Sequence, residues 1–374
     1  RSEFEKDYHR IIGSASFRRL QDKTQVFPLD KSDFIRTRLT HSLEVSSFAK
    51  SLGQNIGENI LVYKKDSEFT YIPVTSVEKD RDRRMRAAYF TDFIDSLEME
   101  QKRLEKVKKA SGTDHLVAVM SGTYLQNGQP ARENMASRME KARQVGVEQT
   151  LELPLYTCLS SVGIYGYSAS NLLTNAEDID LLVLETIDAS YEQLLEITYL
   201  LIRNEKDFQK QLTAYKKSGM TFYQAQAKAI GDRVEGGEQI MLHPRNVLAV
   251  ECIKSLKYMY SSVKTVCIPE ISEFWKEQGW DEEWTEKLRE RIMQPEQVLS
   301  DTYGGYERRS QTMLAKREEY ADFDQFAALI AAETHELVEI RKYFLRLILK
   351  IRKLDVIHWQ LRDFSAGAQW TKLK

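Results

Sequence analysis

The sequence predicts an α/β protein built from a parallel sheet domain, a mostly helical carboxyl-terminal part and an amino-terminal helical hairpin. From Ala87 to Ser190, short apolar runs alternate with amphipathic helical stretches, which indicates parallel strands with helices packed against them. After Ser190 the apolar spacing is almost entirely helical. We therefore expect four regions, which are residues 1–62, 63–86, 87–190 and 191–374.

The hairpin is predicted from apolar residues that recur at helical spacing on both sides of a turn. Pro28 and the segment LDKSD mark that turn. Residues 63–86 are dense in charge, contain Pro73 and show little periodicity, so they are the predicted linker.

The sheet domain is predicted from four apolar runs, which read AAYFTDFI, HLVAVMS, QTLELP and DIDLLVLE. Helices are expected between these runs, near residues 98–110, 135–143 and 162–173. The helices of the carboxyl-terminal part are expected near residues 190–203, 205–217, 221–231, 245–259, 281–293, 305–320, 323–333 and 336–353.

The composition, with 42% apolar and 29% charged residues, is typical of a soluble globular protein. A net charge of −2, from 54 basic and 56 acidic residues, excludes a global basic field, so a polyanionic partner would need a local patch. Cys158, Cys252 and Cys267 form no CxxC pair, which argues against disulfides and thiolate zinc sites. No apolar run could span a membrane and the opening RSEFEKDYHR is too charged for a signal peptide, so we expect a cytoplasmic protein without membrane partners.

Three motifs carry the chemistry of the first region: FRRLQ, KTQVF and RTRLTHSLEV. Together they resemble the opening of the deoxynucleoside triphosphate triphosphohydrolases of the HD superfamily. The resemblance implies that His41 is a ligand of a divalent metal such as Mn²⁺, that Arg38 faces the substrate phosphates and that Gln21 lies beside the base. A metal that activates water and an arginine that offsets phosphate charge suit this hydrolysis.

The rest of that metal site is missing from the sequence. The chain contains no His-Asp dipeptide, and its other histidines occur singly. One imidazole does not hold a hydrolytic metal, so we interpret His41 as a remnant on a packed helix. The alternative is that another subunit supplies the remaining ligands, which would require an oligomer.

A second resemblance covers residues 87–354 and rests on motifs that occur in one order: MSG, QNGQPA, ELP, PRNVLAVECIKSL and the final FDQFAALIAAETHELVEIRKYFLRLIL. In this order they resemble the tRNA(Met) cytidine acetate ligases. The resemblance implies a Rossmann-like nucleotidyltransferase domain that uses ATP, with Mg²⁺, to adenylate acetate. The acetyl group would then pass to N4 of the wobble cytidine of elongator tRNA(Met).

The expected nucleotide site begins at Met120, Ser121 and Gly122, which end an apolar strand. Ligands of α/β proteins bind at the carboxyl ends of parallel strands, where a Ser-Gly turn exposes backbone N–H groups to phosphate. By resemblance, Arg138 and Glu185 keep family positions in this site. The alternative is a plain turn between a strand and a helix.

The sequence departs from the ligase pattern at the residues that bind triphosphate. The family's histidine pair after the first strand aligns with Leu97 and Glu100, one apolar and one anionic. A carboxylate at this position repels a triphosphate. The serine-rich phosphate segment expected after SSVKTVCI is replaced by PEISEFWKEQGWDEEWTEK. We therefore expect acetate ligation to be impaired.

The last predicted helix offers basic residues for RNA, namely Arg341, Lys342, Arg346 and Lys350. The alternative is an amphipathic core helix with a solvated basic face. The functions left open are an impaired acetate ligase, a deoxynucleotide triphosphohydrolase and a non-catalytic RNA-binding or scaffold protein.

Overall fold

The structure is a computed structural model that describes residues 84–176, 178–272, 280, 282–334, 337–356 and 368–373. The chain divides into two compact units, residues 1–83 and 84–374. The predicted hairpin at residues 1–62 lies outside the described residues, as do Gln21, Arg38 and His41.

A six-stranded sheet forms the centre of the second unit, and five of its strands run parallel. The strands are β1 (Ala87–Phe90), β2 (Leu116–Ser121), β3 (Gln149–Leu153), β4 (Leu181–Thr186), β5 (Lys264–Pro269) and β6 (Gln369–Lys372). Their order in the sheet is β5-β4-β1-β2-β3-β6, with β6 antiparallel to β3. The predicted parallel sheet of Rossmann type is confirmed.

The helices that follow the first four strands cover both faces of this sheet. They are α1 (Leu97–Ser111), α2 (Met135–Val145), α3 (Leu155–Cys158), α4 (Val162–Asn175), α5 (Tyr191–Arg203), α6 (Lys206–Lys217), α7 (Phe222–Gly231), α8 (Gly237–Leu242) and α9 (Pro244–Tyr258). Ala88 and Phe90 belong to the core on one face, while Ala87 and Tyr89 belong to the core on the other. This alternation is why the strands read as continuous apolar runs.

The carboxyl-terminal part is helical, as predicted, and has a separate apolar core. Its helices are α10 (Glu282–Ile292), α11 (Glu296–Asp301), α12 (Glu307–Lys316), α13 (Phe323–Thr334) and α14 (Leu337–Ile348), with a 3₁₀ turn at Arg317–Glu319. The sheet nevertheless takes β5 and β6 from beyond residue 190, so the sheet domain extends past the predicted boundary at that residue. Among the described helices, none is long and apolar enough to cross a membrane.

Candidate functional site

The order of the strands places a crevice between β1 and β4. The chain adds β2 and β3 on one side of β1, and then β4 and β5 on the other. Ligands of open α/β sheets bind at such a reversal, outside the carboxyl ends of the strands. We call the space at the carboxyl ends of β1, β4 and β5 the switch-point crevice.

The guanidinium of Arg103, on α1, fills the switch-point crevice. It forms ion pairs with Glu100 at 2.6 Å, with Glu185 at 2.8 Å and with Asp95 at 3.0 Å. It also donates hydrogen bonds to the hydroxyls of Thr91, which follows β1, and Ser272, which follows β5. The Arg103 side chain is only 4% exposed. We call Arg103 and its three carboxylates the guanidinium network.

A second arginine extends the guanidinium network along α9. Arg245 lies 3.2 Å from the second carboxylate oxygen of Glu185 and pairs with Glu270 at 3.0 Å. The same Glu185 oxygen also accepts the backbone N–H of Ile271 at 3.3 Å. Both oxygens of Glu185 are therefore engaged inside the protein, although the sequence predicted this residue to bind a nucleotide.

The network sets one buried guanidinium against three buried carboxyl groups. Burial raises the pKa of Glu100 above its ordinary value in spite of the ion pair with Arg103. Burial alone would lower the pKa of Arg103, but Glu100 and Glu185 raise it on balance. Arg103 therefore stays charged, and its positive charge is matched by carboxylates that leave no net attraction for a triphosphate.

The two positions aligned with the histidine pair lie at the start of α1. Ser96 caps this helix by accepting the backbone N–H of Met99. Leu97 begins the helix and is 36% exposed, whereas Glu100 is 1% exposed and accepts a hydrogen bond from Thr91 at 3.0 Å. The anionic residue is thus an integral partner of Arg103 and does not project into an open phosphate site.

The predicted nucleotide turn at Met120, Ser121 and Gly122 ends β2, as expected. Met120 is buried in the core on one face of the sheet. The backbone N–H of Ser121 donates to the carboxylate of Asp92 at 2.5 Å, and the Ser121 hydroxyl lies 3.2 Å from the hydroxyl of Tyr165. The Ser121 donor that the sequence offered to phosphate is therefore occupied by a carboxylate of the same chain.

Arg138 lies beneath this turn and is completely buried. Its guanidinium donates to the backbone carbonyls of Asp92, Ser121 and Gly122, at 3.2, 3.1 and 2.6 Å. Asn134 caps α2 through the backbone N–H of Ser137 at 2.9 Å, which orients the helix that carries Arg138. Arg138 thus holds the ends of two strand connections together through its two terminal nitrogens, while its buried Nε has no hydrogen-bond partner in the described part of the chain.

Three of the four basic residues predicted to bind RNA are inside the protein. Lys342 is 0% exposed, Arg346 is 3% exposed and Arg341 is 7% exposed. Lys342 donates to the carbonyl of Ser160 at 2.8 Å, and Arg346 donates to the carbonyl of Leu159 at 2.6 Å. A polyanion has no access to these cations in this structure.

The reason for this burial is that α14 packs against the end of α3. The ends of helices leave backbone carbonyls without partners, and buried cations can satisfy them. Arg341 pairs instead with Asp324 on α13 at 2.9 Å. The alternative interpretation is therefore right that α14 is a core helix, but its solvated basic face is wrong for these three residues, which are buried. Lys350, just beyond the helix, is exposed.

The motifs QNGQP and PRN, quoted from the sequence for their order alone, have structural roles. Gly128 has a φ of +79°, and a Cβ there would lie 2.9 Å from the backbone nitrogen of Lys342. Asn246 pairs with both backbone groups of Ile187, each at 2.8 Å. Sequence reasoning missed Arg103 and Arg245. Arg245 belongs to the motif PRNVLAVECIKSL, and Arg103 lies on the helix predicted near residues 98–110, but neither position indicated that the arginine is buried.

Comparison with known proteins confirms both resemblances. Residues 101–283 match the family model described as HIGH Nucleotidyl Transferase. A tRNA(Met) cytidine acetate ligase of Thermoanaerobacter is 30% identical over 162 residues, which are 43% of this chain and 40% of the ligase. A deoxyguanosinetriphosphate triphosphohydrolase-like protein of Listeria innocua is 66% identical over 70 residues, which are 19% of this chain and 15% of that protein. The chain thus spans less than half the length of either relative.

The fold is also that of a solved structure. The crystal structure of apo Thermotoga maritima TmcAL aligns with a TM-score of 0.67 and 16% identity, over 74% of this chain and 78% of that chain. The same protein bound with alpha-thio ATP aligns with a TM-score of 0.65. Within the described residues, no group of three or more His, Cys, Asp and Glu side chains is arranged to hold a metal ion.

Proposed function

We propose that this chain is an acetate-ligase-like protein that does not adenylate acetate and that retains a role in binding tRNA. The observation that carries the proposal is Arg103, which lies in the switch-point crevice and forms ion pairs with three carboxylates there. ATP does not fit this arrangement, because a triphosphate would have to displace a buried guanidinium from ion pairs of 2.6 to 3.0 Å.

The donors around the crevice support the same proposal. Nucleotidyl transfer depends on preorganised donors that face the developing charge on the phosphates. The N–H of Ser121 faces Asp92 and the guanidinium of Arg138 faces backbone carbonyls, so neither is available without rearrangement of the turn. Removing even one such donor commonly lowers a rate by roughly a hundredfold.

The test is acetate-dependent release of pyrophosphate from ATP, measured with Mg²⁺ and with tRNA(Met) present or absent. Thermotoga maritima TmcAL, assayed in parallel, serves as the control for the reagents. We expect no release above the background without acetate, and calorimetric titration should give no heat for ATP with Mg²⁺. Formation of acetyl-AMP by the unmodified chain would overturn the proposal.

The tRNA part is tested separately by a gel shift with elongator tRNA(Met). We expect a salt-sensitive complex, because contacts to phosphates release counterions. A failure to shift tRNA in low salt would remove RNA binding and leave only a scaffold role.

A second candidate function is hydrolysis of a deoxynucleoside triphosphate, favoured by the 66% identity over 70 residues to the Listeria innocua protein. The sequence supplies His41 but no His-Asp dipeptide, so a complete site would need ligands from another subunit. We expect elemental analysis to find no stoichiometric Mn, Fe or Zn, and dGTP hydrolysis with Mn²⁺ to be the same for His41→Ala. About one metal ion per chain, lost in His41→Ala, would instead support the hydrolase.

A further inference from the structure

The turn that ends α9 contains a tyrosine in a backbone conformation that favours glycine. Tyr260 has a φ of +50°. Its N–H donates to the carbonyl of Lys257 at 3.2 Å, and the N–H of Ser261 donates to the carbonyl of Leu256 at 2.9 Å. These two bonds define a Schellman motif, and Tyr260 occupies the left-handed position in it that is usually glycine.

The Tyr260 side chain gains little packing that would offset the strain of its backbone. An L-residue in the left-handed region is less stable than glycine there, because its Cβ crowds the backbone. The side chain is 91% exposed, so it gains almost no packing in return. The strain therefore fixes an exposed aromatic ring at the end of α9, and the groups around this ring indicate what it can bind.

The surroundings of Tyr260 combine exposed aromatic rings with lysines. Tyr258 is 49% exposed and Tyr199, on α5, is 44% exposed. The ammonium of Lys257 lies 4.8 Å from the centre of the Tyr199 ring, so the two helices present one continuous surface. Lys264, at the start of β5, is exposed as well.

The local charge is positive although the whole chain is slightly acidic. Residues 252–269 contain Lys254, Lys257 and Lys264 and no acidic residue. Glu251, just before this stretch, is paired with Lys254 at 2.6 Å, and Glu196 is exposed on the same helix as Tyr199. Asp180 adjoins Lys264, whose backbone N–H donates to the Asp180 carbonyl at 2.9 Å. Exposed rings beside lysines match the surfaces that hold single-stranded nucleic acid, where bases stack and phosphates meet cations.

We propose that Tyr258, Tyr260, Lys257 and Lys264, which we call the tyrosine-lysine surface, bind an unpaired segment of RNA. This surface lies at the amino end of β5, on the opposite edge of the sheet from the switch-point crevice. The proposal rests on the proposed function only in taking RNA as the partner.

The test is fluorescence anisotropy with the full chain and a labelled oligouridine of about 12 nucleotides. We expect Tyr258→Ala and Tyr260→Ala each to weaken binding roughly tenfold, and Tyr260→Phe, which keeps the ring, to bind like the wild type. Lys257→Gln with Lys264→Gln should make the dependence of log K on log salt shallower by about 1.4. A fully paired RNA duplex should bind more weakly than the single strand.

Tyr260→Gly separates a binding role from a structural one. We expect it to raise the melting temperature by about 2 °C, since glycine relieves the left-handed strain, while it weakens RNA binding as much as Tyr260→Ala does. Lys350 holds the same left-handed position after α14, with a φ of +58°, and is also exposed. Lys350→Gly should therefore raise the melting temperature equally, and its RNA affinity tests the alternative that RNA binds at the carboxyl-terminal helices.

Two results would overturn the proposal. One is unchanged RNA affinity in Tyr260→Ala and Tyr258→Ala, and the other is a loss of affinity in Lys350→Gly that matches theirs, which would place RNA at the carboxyl-terminal helices. Acetate adenylation is measured independently of these variants. An error in the proposal for the tyrosine-lysine surface would therefore appear in RNA binding alone, and an error in the proposal for the switch-point crevice would appear in acetate adenylation.

Discussion

Replacing Arg103 with methionine tests whether the guanidinium network holds the crevice together. Methionine keeps much of the volume and the apolar stem but removes the charge. Glu185 would keep its contact with Arg245 at 3.2 Å, so the loss falls mainly on Asp95 and Glu100, whose side chains are 7% and 1% exposed. Removing one partner from buried ion pairs costs about 3–5 kcal/mol, which is our expected decrease in the free energy of unfolding.

The assay is thermal unfolding followed by circular dichroism, with urea unfolding as a second measure. For a unit of this size the expected decrease corresponds to roughly 6–10 °C in melting temperature. The deficit should shrink as the pH falls, and the sign follows from Glu100. Burial raises the pKa of Glu100, and Arg103 is the neighbour that lowers it most. In Arg103→Met the Glu100 carboxyl therefore takes up a proton at a higher pH, which removes its buried charge.

Two further variants make this experiment specific. Arg143→Met removes an arginine from an exposed pair with Glu140 on α2 and should leave the melting temperature almost unchanged. Combining Arg103→Met with Glu100→Met removes both members of the closest pair and should recover part of the lost stability. A melting temperature of Arg103→Met within about 1 °C of the wild type would refute the reasoning, because a buried cation with three partners could then be dispensable.

Three other predictions concern α14, the QNGQP turn and the histidine positions. Burial lowers the pKa of Lys342 from 10.5 to about 8, so between these pH values the folded state binds fewer protons than the unfolded state. As the pH rises from 8 towards 10.5, the melting temperature of the wild type should therefore increase relative to that of Lys342→Met. Gly128→Ala should lose about 2–3 kcal/mol in urea unfolding, and Gly112→Ala, with a φ of +69° and open space for the Cβ, only about 1 kcal/mol; equal losses would contradict the clash. Leu97→His with Glu100→His should not confer ATP binding in calorimetry, because the guanidinium of the network still fills the crevice, and a measurable affinity would show that the crevice opens.

Periodicity was enough to predict the architecture of the sheet domain. The runs that become β1 to β4 are apolar on both faces, and the helices between them begin at polar caps such as Ser96, Asn134 and Ser161. By contrast, β6 has only four residues, Gln369–Lys372, and pairs at an edge, so its polar sequence carries no strand signal.

The composition of the site could not be predicted in the same way. Glu100 was interpreted as an obstacle to phosphate, but its partner Arg103 lies three residues later on a helix whose exposed face is rich in lysine. Nothing in the spacing distinguishes a buried arginine from a solvated one, because the difference arises from Glu185, which is 82 residues away in the sequence. The same limit applies to Lys342, which meets the carbonyl of Ser160 only in the folded chain.

The two edges of the sheet differ in how their polar groups are used, and this difference links the two proposals. At the carboxyl edge, Ser121 donates to Asp92, the terminal nitrogens of Arg138 donate to backbone carbonyls and Arg103 is surrounded by carboxylates. These donors therefore already have partners within the chain. The guanidinium network resists change, because removing Arg103 leaves the buried carboxyl groups of Asp95 and Glu100 without their ion-pair partner. At the amino edge, Tyr260 keeps an exposed ring in a strained conformation that the fold itself does not reward. We infer that the polar residues of the carboxyl edge serve folding, whereas the exposed ring at the amino edge is available to contact a partner.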